Sequence, residues 1–178
     1  MQRIIPILFP FDTITTRDIL YVKGETSGNQ VLHLFVNHWS SRRDGQRITE
    51  RKRIYAAVMA RKAIDSILNI EPDAGIIVMG DFNDEPTNTS VFNILNANNK
   101  RKNTSNRELY NLMYDAHNAD NQGTYNFRGD WNMLDQIIVS YNLLNQEQGL
   151  SCGFDSGKIF KEDWMLYISD TYGDMLPS

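Results

Sequence analysis

The sequence predicts an α/β fold built on mixed sheets, and three observations carry that reading. Two strand-like runs, Arg17 to Lys23 and Gln30 to Asn37, flank the turn-forming stretch Gly24-Glu25-Thr26-Ser27-Gly28-Asn29, which gives an antiparallel hairpin. Between Thr49 and Asn69 apolar residues fall at Ala56, Ala60, Ala63, Ile64, Ile67 and Leu68, a helical spacing. An apolar run from Gly75 to Met79 follows, and the order strand, helix, strand is the crossover that sets two neighbouring strands parallel.

The other elements follow in chain order. Ile4 to Phe11 is apolar but holds Pro6 and Pro10, so it suits an edge strand or an extended lead-in. The run ending at Asn37 leaves His38 just past the carboxyl end of a strong strand. Ser40 to Gly45 is a polar loop. In the helix after it, Arg51, Lys52, Arg53, Arg61 and Lys62 are assigned to the solvated side. Glu71-Pro72-Asp73 ends that helix. Thr89 to Ala97 fits a short helix capped by Asn88 or Thr89. Asn98 to Arg107 reads as a surface loop, with phosphate binding a lesser alternative, and Glu108 to Ala116 as a helical turn or two. Gly123 to Phe127 and Met133 to Val139 read as strands joined through Arg128 to Asn132. A short helix from Leu143, a strand over Gly153 to Phe160 and a weakly patterned tail complete the chain.

Composition bounds what this fold can do. At 178 residues and 41% apolar content, the chain suits a single core and one domain over residues 1–178. Its net charge of −4 gives no general electrostatic argument for nucleic acid. Cys152, the single cysteine, has no partner for a disulfide and reads as a small apolar residue. Met1 to Phe11 does not resemble a signal peptide, and no apolar run is long enough to span a bilayer.

Chemistry concentrates where the apolar run Gly75 to Met79 stops at Gly80-Asp81-Phe82-Asn83-Asp84-Glu85-Pro86. Such a turn sets Asp81 and Asn83 at the carboxyl edge of a sheet, where α/β proteins place their sites. The same residue types also serve as plain turn formers. A calcium loop fits poorly, because its Gly and Glu positions hold Pro86 and Phe92. His38 is either a structural hydrogen-bonder or a catalytic group. Asp135, an acid in an otherwise apolar strand, requires a pairing partner if it is buried.

Three residue sets then stand in order: Val36-Asn37-His38-Trp39, Gly80 to Pro86, and Trp131-Asn132-Met133-Leu134-Asp135-Gln136-Ile137-Ile138-Val139-Ser140. Together they resemble the endonuclease/exonuclease/phosphatase superfamily of deoxyribonuclease I-like, metal-dependent phosphoesterases, and in particular its bacterial members. The resemblance implies a four-layer α/β/β/α sandwich and hydrolysis of a phosphate ester by activated water. It gives Asp81 the orienting or deprotonation of that water, Asn83 a hold on phosphate or nucleophile, and His38 a hydrogen bond to a phosphate oxygen. Asp135 would brace a catalytic histidine. Magnesium or manganese is the implied ion, with Asp81 and Asn83 the nearest ligand candidates. The substrate, whether nucleic acid, nucleotide, lipid or sugar phosphate, is not chosen.

The chain departs from the family at both ends. The family's first strand bears an Asn and a later metal-binding Glu, and its final motif is Ser-Asp-His-x-Pro. Ser169-Asp170-Thr171 and Asp174-Met175-Leu176-Pro177 mimic that motif without its histidine. The expectation is therefore a domain lacking its N-terminal portion and final strand or strands, impaired in activity and able to associate through exposed sheet edges. Val31, Leu34, Val78 and Ile138 are expected to lack full packing partners. A non-catalytic binding module on the same scaffold is the alternative.

Overall fold

The computed structural model describes residues 1–12, 16–102, 105–119, 122–144, 146–147, 149–168 and 175–177. Seven strands form one mixed sheet: β1 (Gln2–Ile5), β2 (Ile19–Glu25), β3 (Val31–His38), β4 (Gly75–Asp81), β5 (Ala97–Asn98), β6 (Leu109–Asn111) and β9 (Asp135–Ser140), in the spatial order β1-β2-β3-β4-β9-β6-β5. Two ribbons stand apart from it, one of β7 (Tyr125–Phe127) with β8 (Asp130–Asn132), the other of β10 (Leu166–Ile168) with β11 (Met175–Pro177).

The expected hairpin and crossover are both present. β2 and β3 pair antiparallel around Thr26 to Gln30, and β3 runs parallel to β4 after the chain returns through α1 (Gln46–Leu68). The helix starts three residues earlier than the apolar spacing suggests, since Gln46, Arg47 and Ile48 form its exposed first turn.

One face of the sheet is sealed by α1. Ala56, Ala57, Ala60, Ile64 and Leu68 pack on Phe35, Ile76, Val78 and Ile138, and Ile5, Ile7 and Phe9 extend this core. Val78 and Ile138 are fully buried here, contrary to the expectation that they lack partners. They lie on the helix side, and strand alternation sends only their neighbours to the other face. That second face carries a smaller cluster of Leu32, Tyr110, Leu112, Val139, Leu143 and Leu144, with half-buried Leu34 and Ile77 beside it.

Several sequence expectations are corrected. Glu108 to Ala116 is not a helix throughout, because Leu109–Asn111 joins the sheet as β6 and only Tyr114–His117 forms α2. Residues 90–94 make one π-helical turn without a side-chain cap. The stretch 128–132, read as a connection, holds a strand of its own; β7 turns back on β8, and β9 runs between β4 and β6. A 3-10 turn at Tyr141–Leu143 takes the place of the helix from Leu143, and residues 153–160 form no strand. Arg53, assigned to the solvated side, is fully buried. Among the described residues no helix is long and apolar enough to cross a membrane.

At the end of the sheet where β4 begins, the turn after α1 is tied to the hairpin. Glu71 takes Lys23 Nζ at 2.7 Å and His33 Nε2 at 3.1 Å, while His33 Nδ1 meets the Tyr21 hydroxyl at 2.8 Å. The hydrogen bond from Lys23 and then that from His33 hold the Glu71 carboxyl below its usual range. A carboxylate depressed in the fold contributes stability above its unfolded pKa, and this is lost as pH falls through the folded value. The melting temperature of Glu71→Gln should therefore lie below that of the unsubstituted chain at pH 7, and the gap should close by roughly pH 3. A gap that stays constant between the two pH values would show that the carboxylate charge is not what holds this corner.

Candidate active site

The site is built by strand register. His38 closes β3 and Asp81 closes β4, and the parallel pairing sets them side by side; Asp81 in turn stands opposite Asp135, the first residue of β9. With strands about 4.8 Å apart, the three form one row roughly 10 Å long. The next row inward on the same face is Val36, Met79 and Ile137, and the next Leu34, Ile77 and Val139. An apolar sheet face therefore ends in one imidazole and two carboxylates at its edge.

His38 Nε2 stands 3.5 Å from Asp81 Oδ2, with the two side chains 47% and 31% exposed. Burial pushes the Asp81 carboxyl above its usual range. The Asn83 backbone N–H opposes this, the Asp135 charge adds to it, and His38 and Arg17 oppose it. Arg17, just before β2, has no signal in the sequence marking it as part of this site. Asp135 is exposed, which corrects the expectation of a buried acid: Met133 and Leu134 precede the strand, so Asp135 lies at its open end. Among the described residues no histidine pairs with it.

Asn83 is held on three sides. Its N–H donates to Asp81 Oδ1 at 2.8 Å, its Nδ2 donates to the Trp39 carbonyl at 3.1 Å, and its own carbonyl accepts from Arg42 Nε at 2.6 Å. Its φ of 49° is a left-handed conformation that asparagine tolerates better than most side chains. Gly80 has φ 126°, and a Cβ there would lie 2.1 Å from the Asn37 carbonyl oxygen, so only glycine lets β4 approach β3 at this point. Asn37 itself is structural. It faces α1, accepts from Trp39 Nε1 and donates to the Phe35 carbonyl, both at 3.0 Å.

Below the turn lies an ion pair that sequence reasoning missed. Asp84 Oδ1 is 2.8 Å from Arg53 Nε, a contact ionic in distance but not aligned as a hydrogen bond, and Asp84 Oδ2 accepts from Ser90 Oγ at 2.6 Å. Arg53 also donates to Thr49 Oγ1 and to the Gln46 carbonyl. From β9, Gln136 Nε2 reaches the Asp84 carbonyl at 2.6 Å and the Met133 carbonyl at 3.1 Å.

A cavity of about 530 Å³ adjoins the row, bounded by Val36, Met79, Ile137, Trp131, Asp135 and Lys161. Lys161 stands over the Trp131 ring, 4.1 Å from its centroid. In the 98–107 stretch, three of the described cations, Lys100, Arg101 and Arg107, each pair with an acid, as suits a surface loop. Cys152 is half-buried and burial pushes its thiol up. Ser169, Asp170, Thr171 and Asp174 lie outside the described residues.

The model of the endonuclease/exonuclease/phosphatase family matches residues 5–175. In fold the chain is similar to a truncated Caenorhabditis elegans TDP2, with TM-score 0.54 and 15% identity over 79% of this chain and 51% of that one. It is also similar to the human Nocturnin catalytic domain with bound sulfate, at TM-score 0.54 and 20% identity over 79% and 47%. A mannosyl-6-phosphatase of Bacteroides thetaiotaomicron gives TM-score 0.52 and 17% identity over 73% and 45%. The chain spans about half the length of these solved relatives. No curated protein matches it in sequence.

Proposed function

Because the chain belongs to the endonuclease/exonuclease/phosphatase family, we propose that it serves a phosphoesterase, hydrolysing a phosphate ester with water at the edge formed by His38, Asp81 and Asp135. The observation that carries this reading is the register that sets one imidazole and two carboxylates in a single row.

In this reading Asp81 orients the attacking water and takes its proton. A carboxylate whose pKa is raised by burial is a stronger base than a free one, which suits that role. His38, half-exposed and beside Asp81, donates to a phosphate oxygen as charge develops on it. Asn83 acts through its backbone, whose N–H fixes the Asp81 carboxylate. Its side chain is already engaged with the Trp39 carbonyl, so a direct hold on phosphate is the lesser part of its role.

Asp135, exposed and opposite Asp81 in the row, is the described carboxylate that would hold magnesium or manganese, with Asp81 adjoining it as the base. Two adjacent hard-oxygen carboxylates repel each other, as the Asp135 charge does Asp81, and magnesium is commonly bound by one or two carboxylates with water and substrate phosphate completing its shell. Bound there, the cation supplies charge neutralisation at the phosphate oxygens. Among the described residues no group of three acids, histidines or cysteines is placed to hold a metal ion together, and no histidine pairs with Asp135.

The test is a panel of phosphodiesters and phosphomonoesters, bis(p-nitrophenyl) phosphate included, assayed with magnesium and with manganese on the protein. His38→Ala should lower kcat by about a hundredfold, the usual worth of one donor to a developing oxyanion, with the melting temperature unchanged. Binding of phosphate without turnover on any member would instead favour a non-catalytic module. A His38→Ala effect confined to melting temperature would return the histidine to a structural role.

A further inference from the structure

We propose that Arg42 is a positioning residue for the Asp81 turn, clamping it to the loop after His38 and to the β7–β8 ribbon. The inference rests on the phosphoesterase reading for its catalytic half and on geometry alone for the other. Arg42 lies in the loop between β3 and α1, a few residues after His38. Its guanidinium reaches two segments, the 83–88 turn and the β7–β8 ribbon. Nε donates to the Asn83 carbonyl at 2.6 Å, Nη1 to Asn132 Oδ1 at 3.4 Å, and Nη2 to Asn88 Oδ1 at 3.0 Å and Asp84 Oδ1 at 3.5 Å. Asn88 Oδ1 also accepts the Glu85 N–H at 2.7 Å, so the same acceptor closes the far side of the turn.

The turn needs such a clamp. Asn83 has a positive φ, and conformations of that kind persist only where the surroundings over-determine them. The peptide on one side of Asn83 gives its N–H to Asp81 Oδ1, and the peptide on the other gives its carbonyl to Arg42. Arg42 thus fixes the residue whose N–H fixes the Asp81 carboxylate. A planar fork with donors in several directions can make these contacts together, whereas a lysine ammonium offers a single point of charge. Asn132 belongs to the segment leading into Asp135, so the clamp relates both carboxylates of the row to one guanidinium.

The experiment has two arms. In the first, hydrogen exchange is followed on the 178 residues for Arg42→Ala, Arg42→Lys and, as a control, Arg43→Ala at the exposed neighbouring position. The amides of Asn83 and Glu85 should exchange at least about tenfold faster in both Arg42 variants, while the amides of β4 keep their protection. In the second arm, on the ester of the panel turned over fastest, both variants should lower kcat at least about tenfold with KM within about threefold, because misplacing a reacting group costs rate rather than binding. Guanidinium ion added to Arg42→Ala should recover part of the kcat, which a loss of general stability would not allow.

Unchanged exchange at Asn83 and Glu85 would overturn the clamp. Wild-type exchange and kcat in Arg42→Lys would overturn the fork, since charge alone would then suffice. Faster exchange with unchanged kcat would overturn the positioning role while leaving the phosphoesterase reading in place. If the unsubstituted protein turned over nothing on the panel, that reading would fall and the catalytic role with it, and exchange would still decide whether Arg42 holds the turn. Should Arg42→Ala lose protection in β4 as well, Arg42→Lys decides by the same criteria.

Discussion

Asp81→Asn should lower kcat by about a hundredfold or more, the usual worth of a positioned general base, while leaving the melting temperature close to wild type. The amide keeps the shape and can still accept the Asn83 N–H through its oxygen, so the turn survives and only the base is lost. A hundredfold corresponds to about 2.7 kcal/mol of transition-state stabilisation. Replacement also removes the charge that Asp135 repels, so the variant should be no less stable than wild type at neutral pH. Steady-state kinetics on the best ester of the panel, beside a thermal melt, measures both. Activity within threefold of wild type would remove Asp81 from the chemistry. A large fall in melting temperature would make it a turn former first.

The row itself was legible in the sequence because three strong local signals coincide. An apolar strand, a helix with regular spacing and a second apolar strand force a parallel pair, and a parallel pair puts the residues after both strands on one edge. That reasoning sets His38 beside Asp81 before any coordinates. Asp135 stood out as an acid in an otherwise apolar strand, and only its role came from the resemblance of that strand to the family's. Its exposure was not anticipated, because an acid next to Ile137, Ile138 and Val139 looks buried unless the first residue of the strand is recognised as an open end.

What was not legible came from long-range partners and short elements. β6 has three residues, too few for any period to show, and its identity as a strand depends on β9 lying alongside. The four contacts of Arg42 join positions 41 to 90 residues apart, and nothing in a run of Ser-Ser-Arg-Arg-Asp marks which arginine turns inward. Arg53 differs, because its signal was present. Thr49, Arg53, Ala56, Ala60 and Ile64 fall at helical spacing, so the arginine lies on the apolar stripe itself. Assigning it to solvent followed its charge and overrode its position.

That buried arginine should show the largest stability effect in the chain. Arg53 is 0% exposed and Asp84 2%, and each is the other's main counter-charge, so removing one leaves an ion inside the fold without compensation. Asp84→Ala is expected to cost about 3–5 kcal/mol, a large share of the roughly 5–15 kcal/mol that holds a typical domain together. Arg53→Met should cost a similar amount, since it strands the Asp84 carboxylate with only Ser90 and the more distant Arg42 nearby. The double replacement Arg53→Met with Asp84→Leu should recover much of either loss, because desolvating two ions costs about as much as their attraction returns. Chemical denaturation of wild type, Arg53→Met, the Asp84→Leu single replacement and the double closes a double-mutant cycle, with the coupling read directly as the departure from additivity. Additive losses, or an Asp84→Ala loss under about 1 kcal/mol, would sink the pair as a structural anchor. The consequence for the site is direct. Asp84 follows Asn83 in the chain, and its salt bridge runs to α1, so the helix that seals the sheet also secures the turn bearing Asp81. A variant that keeps its fold through the double replacement but loses that tie should show faster exchange at Asn83, with β4 still protected.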